Sequence, residues 1–470
     1  MMTDIQFADL HCHPQLRPYG HSFRKTKTHK RSDIWYHANP SLFTKWLHNT
    51  LGLAKFTQAD FTNLSKGNVK LAFVSLYPIE KGLFINASGK GLLARMLGAF
   101  IGSVAFPRVR YVQRHVDYFH DLLNEYDFLR QAHKERNIDG QDFRWKIAKS
   151  WQDAQESLGK EGEIAVVLTI EGAHVFNTGL EKYGRSMSDE EVIGNVYAVK
   201  KWENTPLFIT FAHHFNNDLC GHARSLHQIS RVVDQTTNIN RGFSSLGKKV
   251  IHALLDDQAG NPIYIDIKHM SVESRKEYIN LLKTDYASCD IPLIVSHGGV
   301  TGTTLKGERP VGEPKGTFNE GDINFFDEEL VEIAESGGLF ALQVDRRRLA
   351  GLPLLRQSRK GFRKSNHREL SAQIVWNQIQ HVAEVLNMAG LPAWDMVTIG
   401  SDFDGNINPL YGYRTAKDLP SLAEDMLPLA AQYLQKRHDF LMPENRHITP
   451  EEIVQKFAFQ NAADFLKLHY

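Results

Sequence analysis

Short apolar runs recur along the chain at 5–10, 69–76, 164–170, 207–211, 262–266, 293–296, 338–344 and 396–400. Most are near-continuous rather than strictly alternating, the pattern of parallel strands covered on both faces. Amphipathic stretches at 272–284, 328–335 and 372–388 lie between runs and read as helices. Strand, helix, strand repeated eight times predicts an α/β chain folded as a (β/α)8 TIM barrel rather than an open doubly wound sheet. The Gly-rich phosphate fingerprint of a nucleotide-binding sheet is absent.

The spacing between runs is uneven. Residues 14–68 and 77–163 form long insertions after the first and second strands, on the face where barrel enzymes place their chemistry. The first carries a basic run from Arg24 to Arg31 that reads as a solvated loop, followed by Trp35 and Tyr36. The second is expected to be largely helical from about Val109 to Gln155. Its apolar stretch 91–106 contains Arg95 and is shorter than the roughly 20 residues that span a bilayer. A buried helix or a lid over the site is expected there. No repeat, low-complexity tract or linker divides the chain, so 1–470 is expected to be a single domain.

Composition narrows the function classes. The 470 residues are 42% hydrophobic and 23% charged, ordinary for a soluble globular protein. A formal net charge of +1 leaves no global basic field for nucleic acid. Three cysteines, Cys12, Cys220 and Cys289, are too few for a disulfide framework and fit a reducing cytosol. No secretory signal or transmembrane segment is apparent, so the expected location is cytoplasmic. A homodimer is the expected assembly.

Metal-ligand residue types arrive at the strand ends. His11 and His13 close the first run, and a strand points residues i and i+2 to the same side. Glu171 closes the third, His213 the fourth, His297 the sixth and Asp402 the eighth, while His269 follows the fifth. All would converge on the barrel mouth. Imidazole with carboxylate suits zinc and neighbouring transition metals, whereas an all-oxygen set would suit Mg²⁺ or Ca²⁺. The inventory exceeds the need of one catalytic ion and suits two divalent ions bridged by a carboxylate, which acidify water. Asp402 is then the proton carrier and His213 a donor to the developing oxyanion.

The blocks ADLHCHP (8–14), TIEGAHVF (169–176), LFITFAHHFNND (207–218), IDIKHMS (265–271), IVSHGGV (294–300) and TIGSDFDG (398–405) resemble the membrane dipeptidase family, peptidase M19, within the amidohydrolase superfamily. The stretch Gly242–Gly247 fits the same family. The resemblance implies a barrel with a binuclear zinc site that hydrolyses dipeptides. It implies that His11 and His13 hold the first metal, Glu171 bridges, and His269 and His297 hold the second. By the same resemblance His213 contacts substrate and Asp402 transfers the proton.

Two positions depart from the family. Its first motif is usually His-x-Asp, and His13 stands in the aspartate's place. Its carboxylate-binding arginine after the sixth strand has no counterpart in Gly321-Asp322-Ile323-Asn324-Phe325, and Arg346, Arg347 and Arg348 after the seventh strand either substitute for it or serve the structure. The leading expectation is hydrolysis of an amide bond in a small substrate, a dipeptide or related N-acyl amino acid. Hydrolysis of an ester, lactone or phosphotriester, or deamination, is the alternative, and a catalytically silent binding protein the third reading. Of the other polar residues, His174 and His381 are expected to orient neighbours, His214 to point away from His213, Asp404 to hold its loop, and Asp9 to support His11.

Overall fold

Eight parallel strands close almost fully into a barrel in the computed structural model, which describes residues 5–23, 29–51, 54–85, 104–227, 233–258, 260–309, 316–360, 364–405 and 407–470. In chain order the strands are β1 (Phe7–Cys12), β2 (Val69–Leu76), β3 (Glu135–Ile138), β4 (Gln141–Ile147), β5 (Glu163–Glu171), β6 (Phe208–Thr210), β7 (Tyr264–Asp266), β8 (Ile294–Gly298), β9 (Leu339–Leu342) and β10 (Val397–Ile399). The hydrogen-bonded order is β1-β2-β5-β6-β7-β8-β9-β10. Closure is made just past β10, where Asp402 N donates to His11 O (2.8 Å) and His13 N to Phe403 O (3.0 Å). This is the expected (β/α)8 barrel.

Period-2 alternation sorts the strand side chains. Leu71, Phe73, Ala165 and Val167 join Phe208, Ile294, Leu339 and Ala341 in one apolar set, which meets Phe465 and Leu466 of the terminal helix Asn461–His469. Their alternates, Ala72, Val74, Val166 and Leu168, belong to the larger set packed with the surrounding helices. Thr169 and Glu171 continue the first set along β5, so Glu171 ends on the interior face.

The second insertion departs from the helical expectation. Helices Phe106–Arg114, Tyr118–Gln131 and Trp151–Leu158 flank an antiparallel hairpin, β3–β4, and β4 runs parallel to the start of β5. The turn is Asp139-Gly140, both at positive φ (53° and 91°). An Asp-Gly pair accepts that backbone readily and favours a two-residue hairpin turn. Of the apolar stretch 91–106 only 104–106 are among the described residues, and 24–28 of the basic run also lie outside them. Among the described residues, no helix is long and apolar enough to cross a membrane.

A buried polar network ties the two insertions to the barrel. Arg108 forks onto Asp121 (2.7 and 2.6 Å), which also accepts from Tyr19 OH (2.9 Å). One helical turn on, Glu125 accepts from Gln15 Nε2 (3.0 Å) and Tyr77 N (3.2 Å). Burial, reinforced by Asp121, raises the Glu125 carboxyl from 4.5 to about 7. The unfolded chain therefore gives up this proton first, and stability held below the unfolded value is lost as pH rises toward 7. Relative to Glu125→Gln, the native chain should lose about 3 kcal/mol between pH 4.5 and 7. Denaturant midpoints measured across that range check this, and a pH-independent difference would contradict it.

Candidate metal centre

Two buried aspartates set the positions of the site residues at the rim. Asp9 accepts from the backbone N–H groups of Ser401 (2.8 Å) and His11 (3.3 Å) and from Ser401 Oγ. Asp266 repeats the arrangement, accepting from the N–H of Ser296 and of Lys268 (both 3.0 Å) and from the hydroxyls of Ser296 and Thr210. Each serine immediately precedes a site residue, Asp402 or His297. Past these clamps His269 and Asp402 adopt left-handed backbone, φ 67° and 56°. Such conformations are uncommon for non-glycine residues and concentrate at functional sites.

All seven predicted site residues come together and are buried. His11 Nε2 lies 3.1 Å from His13 Nε2, and His269 Nε2 lies 3.2 Å from His297 Nε2. Glu171 stands between the pairs. Its Oε1 is 3.4 Å from His11 Nε2, 3.8 Å from His297 Nε2 and 4.0 Å from His269 Nε2, and its Oε2 is 3.3 Å from His13 Nε2. His213 Nε2 is 3.4 Å from Glu171 Oε1. Asp402 Oδ1 is 3.6 Å from His13 Nε2, while its Oδ2 accepts from Gln343 Nε2 (2.6 Å).

The donor chemistry fits divalent cations. His13 Nδ1 donates to the Ser75 carbonyl (2.9 Å), so Nε2 is the nitrogen turned into the site and carries the lone pair when the ring is neutral. Ser296 gives its own proton to Asp266, so its oxygen accepts from His297 Nδ1 (2.9 Å), and His297 Nε2 is likewise a lone pair. Nitrogens separated by 3.1–3.2 Å match two ligands held about 2.0–2.1 Å from one ion at an angle of about 100°. His11, His13 and Glu171 form one group able to hold an ion, and Glu171, His269 and His297 a second.

The charges agree. Burial opposes ionisation of Glu171, but His213 and His11 overcome it and hold the carboxyl well below its usual range. Burial also disfavours charge on His13, yet Glu171 and Asp402 raise it to about 9, which marks a position where positive charge is welcome. Burial, with His213 and Lys268 among the neighbouring cations, keeps His269 and His297 well below 6.5 and hence neutral. Burial and Glu171 together lift Asp402 to about 6.

Several neighbours escaped the sequence. Glu80, four residues past β2, receives His213 Nδ1 at 2.6 Å and the N–H of Phe215 at 3.1 Å. Burial would raise it, but His213 holds it at about 2. Glu80 follows Tyr77-Pro78-Ile79 rather than sitting at a strand end, so only its burial reveals it. Gln343 and Lys268 were equally silent. His214 corrects an expectation: its ring stacks on that of His213 (3.8 Å) and meets His269 (5.4 Å), because β6 stops at Thr210 and strand alternation no longer applies. Asp9 acts on backbone and Ser401 rather than on the His11 ring. Asp404 accepts from the N–H groups of Gln58 (2.9 Å) and Ala59 (2.8 Å). His174 contacts the Pro78 carbonyl (2.8 Å) and His381 contacts Asp327 (2.7 Å), both through Nε2.

Known proteins resemble the chain in fold and in part of its sequence. The dipeptidase AC, a metallopeptidase of family M19, has a crystal structure that superposes with a TM-score of 0.55 at 14% identity, over 99% of each chain. A metallopeptidase from Rhodobacter sphaeroides, liganded with a phosphinate mimic of the dipeptide L-Ala-D-Ala, matches equally, with a TM-score of 0.55, 14% identity and 99% of each chain. At these identities the likeness concerns the barrel. No curated protein matches the chain in sequence. The family model for membrane dipeptidase, peptidase family M19, matches residues 37–433, beginning after His11 and His13. That span is most of the chain, which therefore belongs to the membrane dipeptidase family and is a metallohydrolase.

Proposed function

We propose that this protein hydrolyses the amide bond of a dipeptide or closely related N-acyl amino acid, with two divalent cations, zinc foremost, as its cofactor. The carrying observation is the pair of close Nε2–Nε2 contacts that share one carboxylate, Glu171. His11 and His13 would hold one ion and His269 and His297 the other, with Glu171 common to both groups. Such ions act as Lewis acids toward a carbonyl and lower the pKa of water from about 15.7 toward 7.

The chain's own residues do the remaining work. Asp402 keeps one oxygen fixed by Gln343 and presents the other beside His13, so Oδ1 accepts the proton of the attacking water and passes it to the leaving amine. His213 is locked by Glu80 through Nδ1 and aims Nε2 into the site, where it stabilises the oxygen of the attacked carbonyl. The rim residues around them are buried, which strengthens each of these interactions. Cys12, Cys220 and Cys289 are free thiols, in keeping with a reducing cytosol.

Elemental analysis of the purified, zinc-reconstituted protein should find about two ions per chain, falling to one or fewer in Glu171→Gln, and chelation should abolish hydrolysis of alanylalanine. A single tightly bound ion in the native chain would contradict the bridge. Asp402→Asn should retain both ions yet lose about 10²–10⁴-fold in kcat. Turnover near the native rate in that variant would remove the proposed proton carrier.

A further inference from the structure

Among the described residues, a third group of ligand atoms lies beside the two that share Glu171, and it contains no carboxylate. His213, His214 and His269 each present one ring nitrogen, and these nitrogens lie within 4.8 Å of one another. The His213 ring stacks on that of His214 and meets that of His269 edge-on, with centroids 3.8 and 4.7 Å apart. The His214 and His269 rings are separated by 5.4 Å. His213 and His269 are buried whereas His214 is half-buried, so an ion arriving from solvent meets His214 first.

The fold orients these rings as it orients His13 and His297. Glu80 Oε2 accepts from His213 Nδ1 (2.6 Å) and from the backbone N–H of His214 (3.4 Å), so one carboxylate positions both residues. A carboxylate on Nδ1 leaves Nε2 of a neutral imidazole with the lone pair, the usual arrangement behind a metal-bound histidine. On the other side, Ser225 Oγ lies 2.8 Å from His214 Nδ1. Gln235 Nε2 donates to that hydroxyl (2.9 Å) and to the His214 carbonyl (2.6 Å), which holds His214 at ring and backbone. His269 Nδ1 is buried without a hydrogen-bond partner, so no neighbour on that edge dictates which of its nitrogens carries the proton.

We propose that His213, His214 and His269 form an alternative, all-imidazole seat for a transition-metal ion, and that an ion held there inactivates the protein. A neutral imidazole has a single ring lone pair to give. His269 therefore serves either this seat or the group completed by Glu171 and His297, not both. Occupation takes His269 from the second ion and His213 from the carbonyl of the substrate. Three neutral nitrogens favour Cu²⁺ and, less strongly, Zn²⁺, whereas Mn²⁺ and Mg²⁺ prefer the groups that contain a carboxylate. The loss of activity rests on the proposed hydrolysis; the seat itself rests on the ligand geometry alone.

Titration of Cu²⁺ into the zinc-loaded protein tests this, with released zinc, the copper electron paramagnetic resonance spectrum and alanylalanine hydrolysis read together. The native chain should release about one zinc for each copper taken up and lose hydrolysis in step. Its spectrum should show copper held by about three imidazole nitrogens. His214→Phe keeps an aromatic ring against His213 but has no nitrogen to offer. It should keep its zinc and its hydrolysis at copper levels that inactivate the native protein, and His214→Gln should do the same. Ser225→Ala should weaken copper uptake about tenfold, since it removes the partner that orients the His214 ring. No copper uptake, uptake without zinc release, a spectrum with fewer nitrogens, or equal zinc loss in the native chain and both His214 variants overturns the seat. If copper displaces zinc with the expected spectrum and His214→Phe resists it, but no form hydrolyses alanylalanine, the hydrolase reading fails and the seat stands. If every form hydrolyses alanylalanine and copper affects them all equally, the seat fails and the reading stands.

Discussion

The site depends on two buried aspartate–serine clamps. Asp9 joins β1 to Ser401 past β10, and Asp266 joins β7 to Ser296 on β8 and Thr210 on β6. A barrel rim is where strand pairing ends and backbone would otherwise splay. Each clamp offers two carboxylate oxygens to donors on adjacent strands, so the residue after each serine emerges at a fixed height. Removing either acceptor would strand buried donors at about 1–3 kcal/mol each. The same geometry recurs at two separate points of the barrel, which is why Asp402 and His297 face the same carboxylate although 105 positions separate them (402 − 297).

Electrostatics completes the arrangement. Glu171 is buried among five imidazoles, those of His11, His13, His213, His269 and His297. Second-layer contacts turn His13 and His297 so that lone pairs rather than protons face inward. Two lone pairs about 3 Å apart repel unless something positive lies between them or a proton is shared. On the proposed function, a cation in each of the two groups that share Glu171 would relieve that repulsion for both pairs. Glu80 and Gln343 hold His213 and Asp402 in the same way, through His213 Nδ1 on a Glu80 oxygen and the Gln343 amide on an Asp402 oxygen.

Much of this was legible in the chain. Parallel barrel strands are apolar on both faces, so β1, β2 and β5 through β10 stand out as runs, and ligands at their ends are read by position. His11 and His13 follow from period 2 alone. Legibility failed where a residue's role depends on contacts remote in sequence. Glu80 reaches His213 across 133 positions, and Lys268 reveals itself only by lacking a partner. It failed again where regular structure stops. His214 could not be placed by alternation beyond the end of β6, and the Asp139-Gly140 hairpin was hidden within a stretch dominated by helical composition.

X-ray absorption at the zinc edge of the reconstituted protein addresses the central claim most directly. The account predicts a nitrogen and oxygen shell at about 2.0–2.1 Å with imidazole scattering, and a second zinc at about 3.5–4 Å. A spectrum with that first shell but no metal–metal feature at full occupancy, or one dominated by sulfur, would contradict it.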